Sequence, residues 1–188
     1  MAGVFDHPWL SGLFADAEMA AIWSASTQLS HMLAFEAAWS RAGAAAGLWS
    51  KAAGAAAAAA IETADIPPGE LAEGTSRDGM CAPELVRRLK AIAGEEAVHR
   101  GATSQDVVDT ATALSITASL DLLSARLDKL DAALDRLDRD FGDAPLLGRT
   151  RMQAALEIKV RDRLKSWRGP IADHKARLRD LRPRVARV

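Results

Sequence analysis

Ile116, Leu120, Leu123, Leu127, Leu130, Leu134, Leu137 and Phe141 follow one another at steps of 4, 3, 4, 3, 4, 3 and 4 residues. This alternation is the a/d seam of a heptad repeat. The positions between carry charge: Arg126, Asp128, Lys129, Asp131, Arg136, Asp138 and Arg139. The pattern predicts a helix from about Thr103 to Asp140, close to 55 Å long at about 1.5 Å per residue. One small domain cannot cover a helix of that length, so its seam calls for partner helices. A helical bundle completed by other subunits is therefore expected.

Composition points the same way. Of 188 residues, 49% are hydrophobic, but aromatics make up 5% and Tyr is absent, so leucine and alanine must fill the core. Alanine is the strongest helix former. The fold class expected is all-α, an N-terminal helical domain over 1–102 followed by long antiparallel helices of a central bundle over 103–188. A net charge of −1 gives no sign of a nucleic-acid partner. The lone Cys81 has no intrachain disulfide partner, which fits a reducing cytoplasm. MAGVFDHPWL lacks the basic and apolar regions of a signal peptide. No apolar stretch long enough to span a membrane is read, and AAGAAAAAAI at 52–61 is too short.

Along the N-terminal part, 1–12 reads as an irregular lead-in broken by Pro8 and Gly12. A helix is expected from Asp16 to about Ala46, ended by Gly47, and another from about Ser50 to Ala64, closed by Pro67, Pro68 and Gly69. A short helix at 69–74 and a loop at 73–80 are expected next. Pro83 then opens a helix that Gly94 ends. After the long helix, 142–148 should form a turn and a second long helix should begin near Arg151, kinked at Gly169–Pro170. From Arg149 onward, 13 Lys/Arg face 4 Asp/Glu, a net of 13 − 4 = +9. That excess suits either an anionic ligand or a solvated face balanced by the acidic remainder of the chain, and the second reading is preferred.

Two polar clusters carry the chemistry. In VHRGATSQDVVDT, 98–110, Gly101 precedes Thr103 and Ser104, and Asp106 stands three residues after Thr103 as in a variant capping box. The same helix start offers free N–H groups and a positive dipole end to a carboxylate or phosphate. Thr103 and Ser104 add hydroxyls and Gln105 an amide. His99 can shuttle a proton near neutral pH. Capping alone requires neither His99 nor Gln105. The second cluster, GRTRMQAA at 148–155, brings Arg149, Thr150, Arg151 and Gln153 to the start of the next long helix. Antiparallel helices hold their starts about a helix length apart. The clusters are thus either two unrelated caps or one site shared between chains. His7, His31, His99 and His174 are scattered, and neither metal-ligand spacing nor a phosphate-binding glycine loop is present, so no cofactor is expected.

In this order and about 50 residues apart, the two clusters resemble the first two signature regions of the fumarase/aspartase superfamily. FEAAWSRAGAAAGL (35–48), RDGMCAPELVRRL (77–89) and the closing LRPRVARV resemble its subfamily of 3-carboxy-cis,cis-muconate cycloisomerases. The resemblance implies a cytoplasmic enzyme, a homotetramer around long central helices, and active sites each built by three chains. It implies that Thr103, Ser104 and Gln105 bind a carboxylate of a small polycarboxylate substrate, with Asp106 in support. It makes His99 the catalytic candidate and places Arg149, Thr150 and Gln153 at the substrate, with Arg151 supporting. Arg77 and Asp78 fall in a stretch it puts near the substrate. Most superfamily members carry a histidine where Arg151 stands, but lactonising members lack it, which favours them here. The third signature, a mobile glycine- and serine-rich loop, is absent from these residues. The chain thus reads as the N-terminal part of a longer enzyme, inactive alone. The alternatives are another superfamily lyase, such as adenylosuccinate lyase, or a non-catalytic helical assembly module in which both clusters are only caps.

Overall fold

The computed structural model describes residues 3–185. The last three residues of LRPRVARV, 186–188, lie outside the described residues. The chain divides into two compact units, one up to Ile116 and one from Thr117.

The first unit is helical. Helices α1 (Ser11–Phe14), α2 (Ala17–Ile22), α3 (Ala25–Ala45) and α4 (Lys51–Glu62) follow in order. The single helix expected from Asp16 is instead broken at Trp23. Ser24 is extended there, and its side chain accepts from the Thr27 N–H to start α3 anew. Such a cap satisfies a donor with no intrahelical partner. Gly47, at φ 77°, follows the end of α3, and Ser50 caps α4. A 3-10 turn (Pro68–Leu71) leads into α5 (Ala72–Asp78). The loop expected at 73–80 is thus largely helical. Its Ser76 and Thr75 hydroxyls bond back to the carbonyls four residues earlier, and left-handed Gly79 ends it. Helix α6 (Ala82–Ala93) has Pro83 in its first turn and stops at Gly94, as expected.

Residues 29, 32, 36, 40 and 43 of α3 form its inward row: Leu29, Met32, Glu36, Ser40 and Gly43. Gly43 and Gly54 let the Trp49 ring lie between α3 and α4, where a Cβ on Gly43 would stand 1.9 Å from Trp49 Cζ2. The core continues through Ile61, Leu85, Leu89, Val98, Val107 and Ala111.

Helix α7 runs unbroken over Ser104–Phe141, 38 residues. It is long and apolar enough over one window to cross a membrane by length and composition, a test that core helices also pass. Its Val107, Ala111, Leu120 and Leu134 are buried within the protein.

In the second unit the structure corrects the expected turn and helix start. Strands β1 (Pro145–Thr150) and β2 (Gln153–Lys159) form an antiparallel hairpin, and the helix α8 begins only at Val160 and runs to Val185. Thr150 pairs with Gln153, and the two residues between them, Arg151 (φ 42°) and Met152 (φ 71°), both have positive φ. That is the backbone of a two-residue hairpin turn, here built without the usual Gly or Asn. The register shifts between Leu147 and Arg149, where a Cβ on Gly148 would stand 2.8 Å from the Leu156 carbonyl oxygen. Helix α8 continues through Pro170 and Pro183.

One phase of the heptad seam, Leu127 and Leu134, packs with Leu164 and Ile171 of α8. The other phase, Leu123, Leu130 and Leu137, is exposed, as is Phe141. The basic excess of α8 meets acidic partners on or just after α7. Arg161 pairs with Asp138 at 3.2 Å, Arg168 with Asp131 at 3.0 Å, Lys175 with Asp128 at 2.7 Å and Arg182 with Asp121 at 2.6 Å. These four cations are seven residues apart, so they share one face of α8. Four of the 13 Lys/Arg after residue 148 are thus zippered to acids of α7.

Candidate functional site

The loop between α6 and α7 carries the first cluster, and α3 holds it in place. Three side chains on one face of α3 reach it. Glu36 Oε1 lies 2.6 Å from His99 Nδ1. The Trp39 indole N–H donates to the Arg100 carbonyl at 3.1 Å, and the Ser40 hydroxyl donates to the Ala97 carbonyl at 2.8 Å. These contacts fix a strained stretch: His99 has φ 53°, and Gly101 has φ 79°, the left-handed region.

Helix α7 then starts as the capping box requires. The Thr103 N–H donates to Asp106 Oδ2 at 2.7 Å and its hydroxyl to the same oxygen at 2.9 Å. The Asp106 N–H donates back to Thr103 Oγ1 at 3.3 Å. The Thr103 bonds, aided by the nearby His99, hold the Asp106 carboxyl below the usual carboxylate range. Gln105 donates its amide to Asp109 at 2.5 Å. Ser104 is half-buried, while Thr103, Gln105 and Asp106 are exposed. The N–H groups of Ser104 and Gln105, in the first turn, have no intrahelical carbonyl to reach. His99, Thr103, Ser104, Gln105 and Asp106 thus lie together at one helix start.

The second cluster has a different scaffold from the one expected. Arg149 and Thr150 end β1, Arg151 sits in the turn, and Gln153 opens β2; all four are exposed at the hairpin tip. A tight hairpin presents these side chains as a projecting finger rather than as a helix cap. Arg77 and Asp78 are drawn into a separate network. Arg77 donates twice to Asp78, at 2.9 and 2.8 Å, and approaches Glu84 at 3.6 Å. Glu84 also takes Arg87 and Arg88, and packs where Gly74 leaves no room for a Cβ.

Sequence reasoning passed over Glu36, Trp39 and Ser40. A signal was available in part: Glu36 and Ser40 occupy the 29-32-36-40-43 row, where an apolar side chain would be expected on an alanine-rich helix. The partners lie 57 to 63 residues away and carry no local mark.

The family model described as lyase matches residues 14–187. The 3-carboxy-cis,cis-muconate cycloisomerase of Pseudomonas putida is 39% identical over 176 residues, covering 90% of this chain and 42% of that protein. The N-acetyl-S-(2-succino)cysteine lyase of Enterococcus italicus is 30% identical over 184 residues, covering 97% of this chain and 40% of its own length. The crystal structure of 3-carboxy-cis,cis-muconate lactonizing enzyme from Pseudomonas putida superposes with a TM-score of 0.88 at 36% identity, over 95% of this chain and 42% of that one. The chain therefore spans about two fifths of the length of the relatives it matches.

Proposed function

Because the chain belongs to the lyase family of the fumarase/aspartase superfamily, we propose that it forms part of a cytoplasmic 3-carboxy-cis,cis-muconate cycloisomerase. The observation that carries this reading is the 39% identity to a cycloisomerase over 90% of the chain. The site chemistry agrees with it. In the reaction, one carboxylate of the tricarboxylate adds to a C=C bond, and the carbon alpha to another carboxylate takes a proton. Run backwards, this is a β-elimination through an enolate-like intermediate. Such a step needs fixed donors where charge builds on the carboxylate and a positioned acid or base.

The start of α7 supplies the donors. The Ser104 and Gln105 N–H groups, the Ser104 hydroxyl and the helix dipole accept one substrate carboxylate. The Thr103 hydroxyl donates its single proton to Asp106 Oδ2, and turning it to the substrate carboxylate exchanges that bond for one to the ligand. With Nδ1 turned to Glu36, His99 offers Nε2 as the proton-carrying atom. Arg149, Thr150 and Gln153 at the hairpin tip take a second carboxylate, with Arg151 beside them. In the homotetramer proposed here, that finger reaches the α7 start of another chain, and the exposed Leu123, Leu130 and Leu137 pack against neighbouring subunits.

The likeness to a lyase of a succinylated thiol supports a second reading, elimination from a succinyl conjugate by the same donors. Turnover assays with 3-carboxy-cis,cis-muconate, N-acetyl-S-(2-succino)cysteine and adenylosuccinate separate the readings. Lactone formation from the first is expected. Turnover of either of the others, with none of the first, overturns the proposal.

A further inference from the structure

Glu36 is the least explained side chain of the first unit. It is fully buried on α3, yet only one carboxylate oxygen is used: Oε1 meets His99 Nδ1 at 2.6 Å, and Oε2 has no hydrogen-bond partner among the described residues. Burying a carboxylate with an idle oxygen is costly. A glutamine would keep the shape at lower cost, and a leucine would suit the row that Leu29 and Met32 begin. The cost is repeated in the backbone, since His99 is held at φ 53°. Non-glycine residues rarely adopt that conformation, and it survives only where surroundings impose it. Here they do, through the Trp39 and Ser40 bonds to the carbonyls of Arg100 and Ala97 on either side. The burial, the strain and the two flanking clamps act on one imidazole ring.

We propose that Glu36 is a positioning residue that fixes His99 in the tautomer protonated at Nδ1, so that the bare Nε2 faces the start of α7. This rests on the assignment of His99 as the proton-carrying group. An ionised carboxylate is an acceptor only, so the ring nitrogen it meets must be the donor. The Nδ1 proton stays on the ring throughout. Nε2 takes one proton from solvent and delivers it to the substrate carbon as the carboxylate adds to the C=C bond, and the Glu36 carboxylate faces the ring while that second proton is present. An orienting carboxylate of this kind acts through the ring and never touches substrate.

Two measurements test this. The first needs no substrate: the nitrogen chemical shifts of His99 in protein labelled with 15N-histidine. The expected spectrum has Nδ1 protonated in the neutral ring, with that preference lost in Glu36→Leu, which offers the ring no acceptor. A His99 protonated at Nε2 in the unaltered protein overturns the proposal, whatever the substrate proves to be. The second is a kinetic cycle in the complete enzyme, on whichever substrate it turns over. Glu36→Gln should lower kcat by about 100-fold with KM changed less than about threefold. Glu36→Asp, which keeps the charge, should recover about tenfold of that loss. In a His99→Gln background the Glu36→Gln change should cost less than about threefold, because the residue it acts through is gone. Full additivity of the two substitutions, or equal loss in Glu36→Asp and Glu36→Gln, marks a merely structural carboxylate and overturns the proposal. Failure to lactonise carboxymuconate sinks the proposed function alone, since the tautomer is read without it.

Discussion

The cap at the start of α7 and the proposed anion site are built from adjacent residues, Thr103 with Asp106 for the first and Ser104 with Gln105 for the second. Thr103 both opens the helix and presents a hydroxyl. The double substitution Thr103→Ala with Ser104→Ala separates these roles by magnitude. Loss of a cap costs on the order of 1 kcal/mol, whereas loss of transition-state donors lowers turnover by about 100-fold or more. Thermal unfolding alongside kcat/KM for the complete enzyme checks both. Asp106 gives a pH prediction. Its folded carboxyl sits below the ordinary range because Thr103 donates to it twice. The stability it adds is therefore present above about pH 4 and is lost as pH falls through the lower folded value. Asp106→Asn should flatten that acid-side loss, and denaturation midpoints between about pH 2 and pH 5 measure it. The cap was legible in the sequence because its partners are three residues apart. Glu36 was not, because a buried carboxylate acquires its meaning from a loop 63 residues downstream.

At the scale of elements, legibility followed periodicity. Helix α7 matched its expected bounds within a residue or so because an apolar step of 3 and 4 over many turns admits one conformation. The hairpin after it escaped notice for the opposite reason. Leu146 pairs with Ile158 across the strands, but Arg151-Met152 carries none of the residues that mark a tight turn. A basic, polar segment running into α8 then looked like helix from its start. The net charge of that region also reads differently in place, since exposed pairs such as Arg182–Asp121 spread it along α7. Such pairs are worth at most about 1 kcal/mol each, so they set register more than stability. The α3–α4 contact is firmer. Gly43→Ala would push a methyl into the Trp49 ring, which is buried and tied through its N–H to the Ser40 carbonyl at 2.8 Å. A loss of about 2–3 kcal/mol is expected in chemical denaturation, the upper part of the overpacking range.

A site built from both clusters requires them to meet. The first opens α7 and the second follows its end, and α7 is a continuous helix of 38 residues, about 57 Å long. Shared sites would resolve this, with the hairpin finger of one chain serving the α7 start of another. Leu123, Leu130 and Leu137, exposed on α7, are the apolar surface that the proposed assembly would bury. The sequence pointed to partner helices through the length of the seam, but only the structure divided it into a phase that α8 covers and a phase left open. The direct test is subunit complementation in the complete enzyme. Thr103→Ala/Ser104→Ala protein and Arg149→Ala/Gln153→Ala protein, each inactive alone, are mixed, dissociated and reassembled. Recovered lactonisation of carboxymuconate is the predicted result. Hetero-oligomers that form and remain as inactive as either parent would contradict a site built from both clusters.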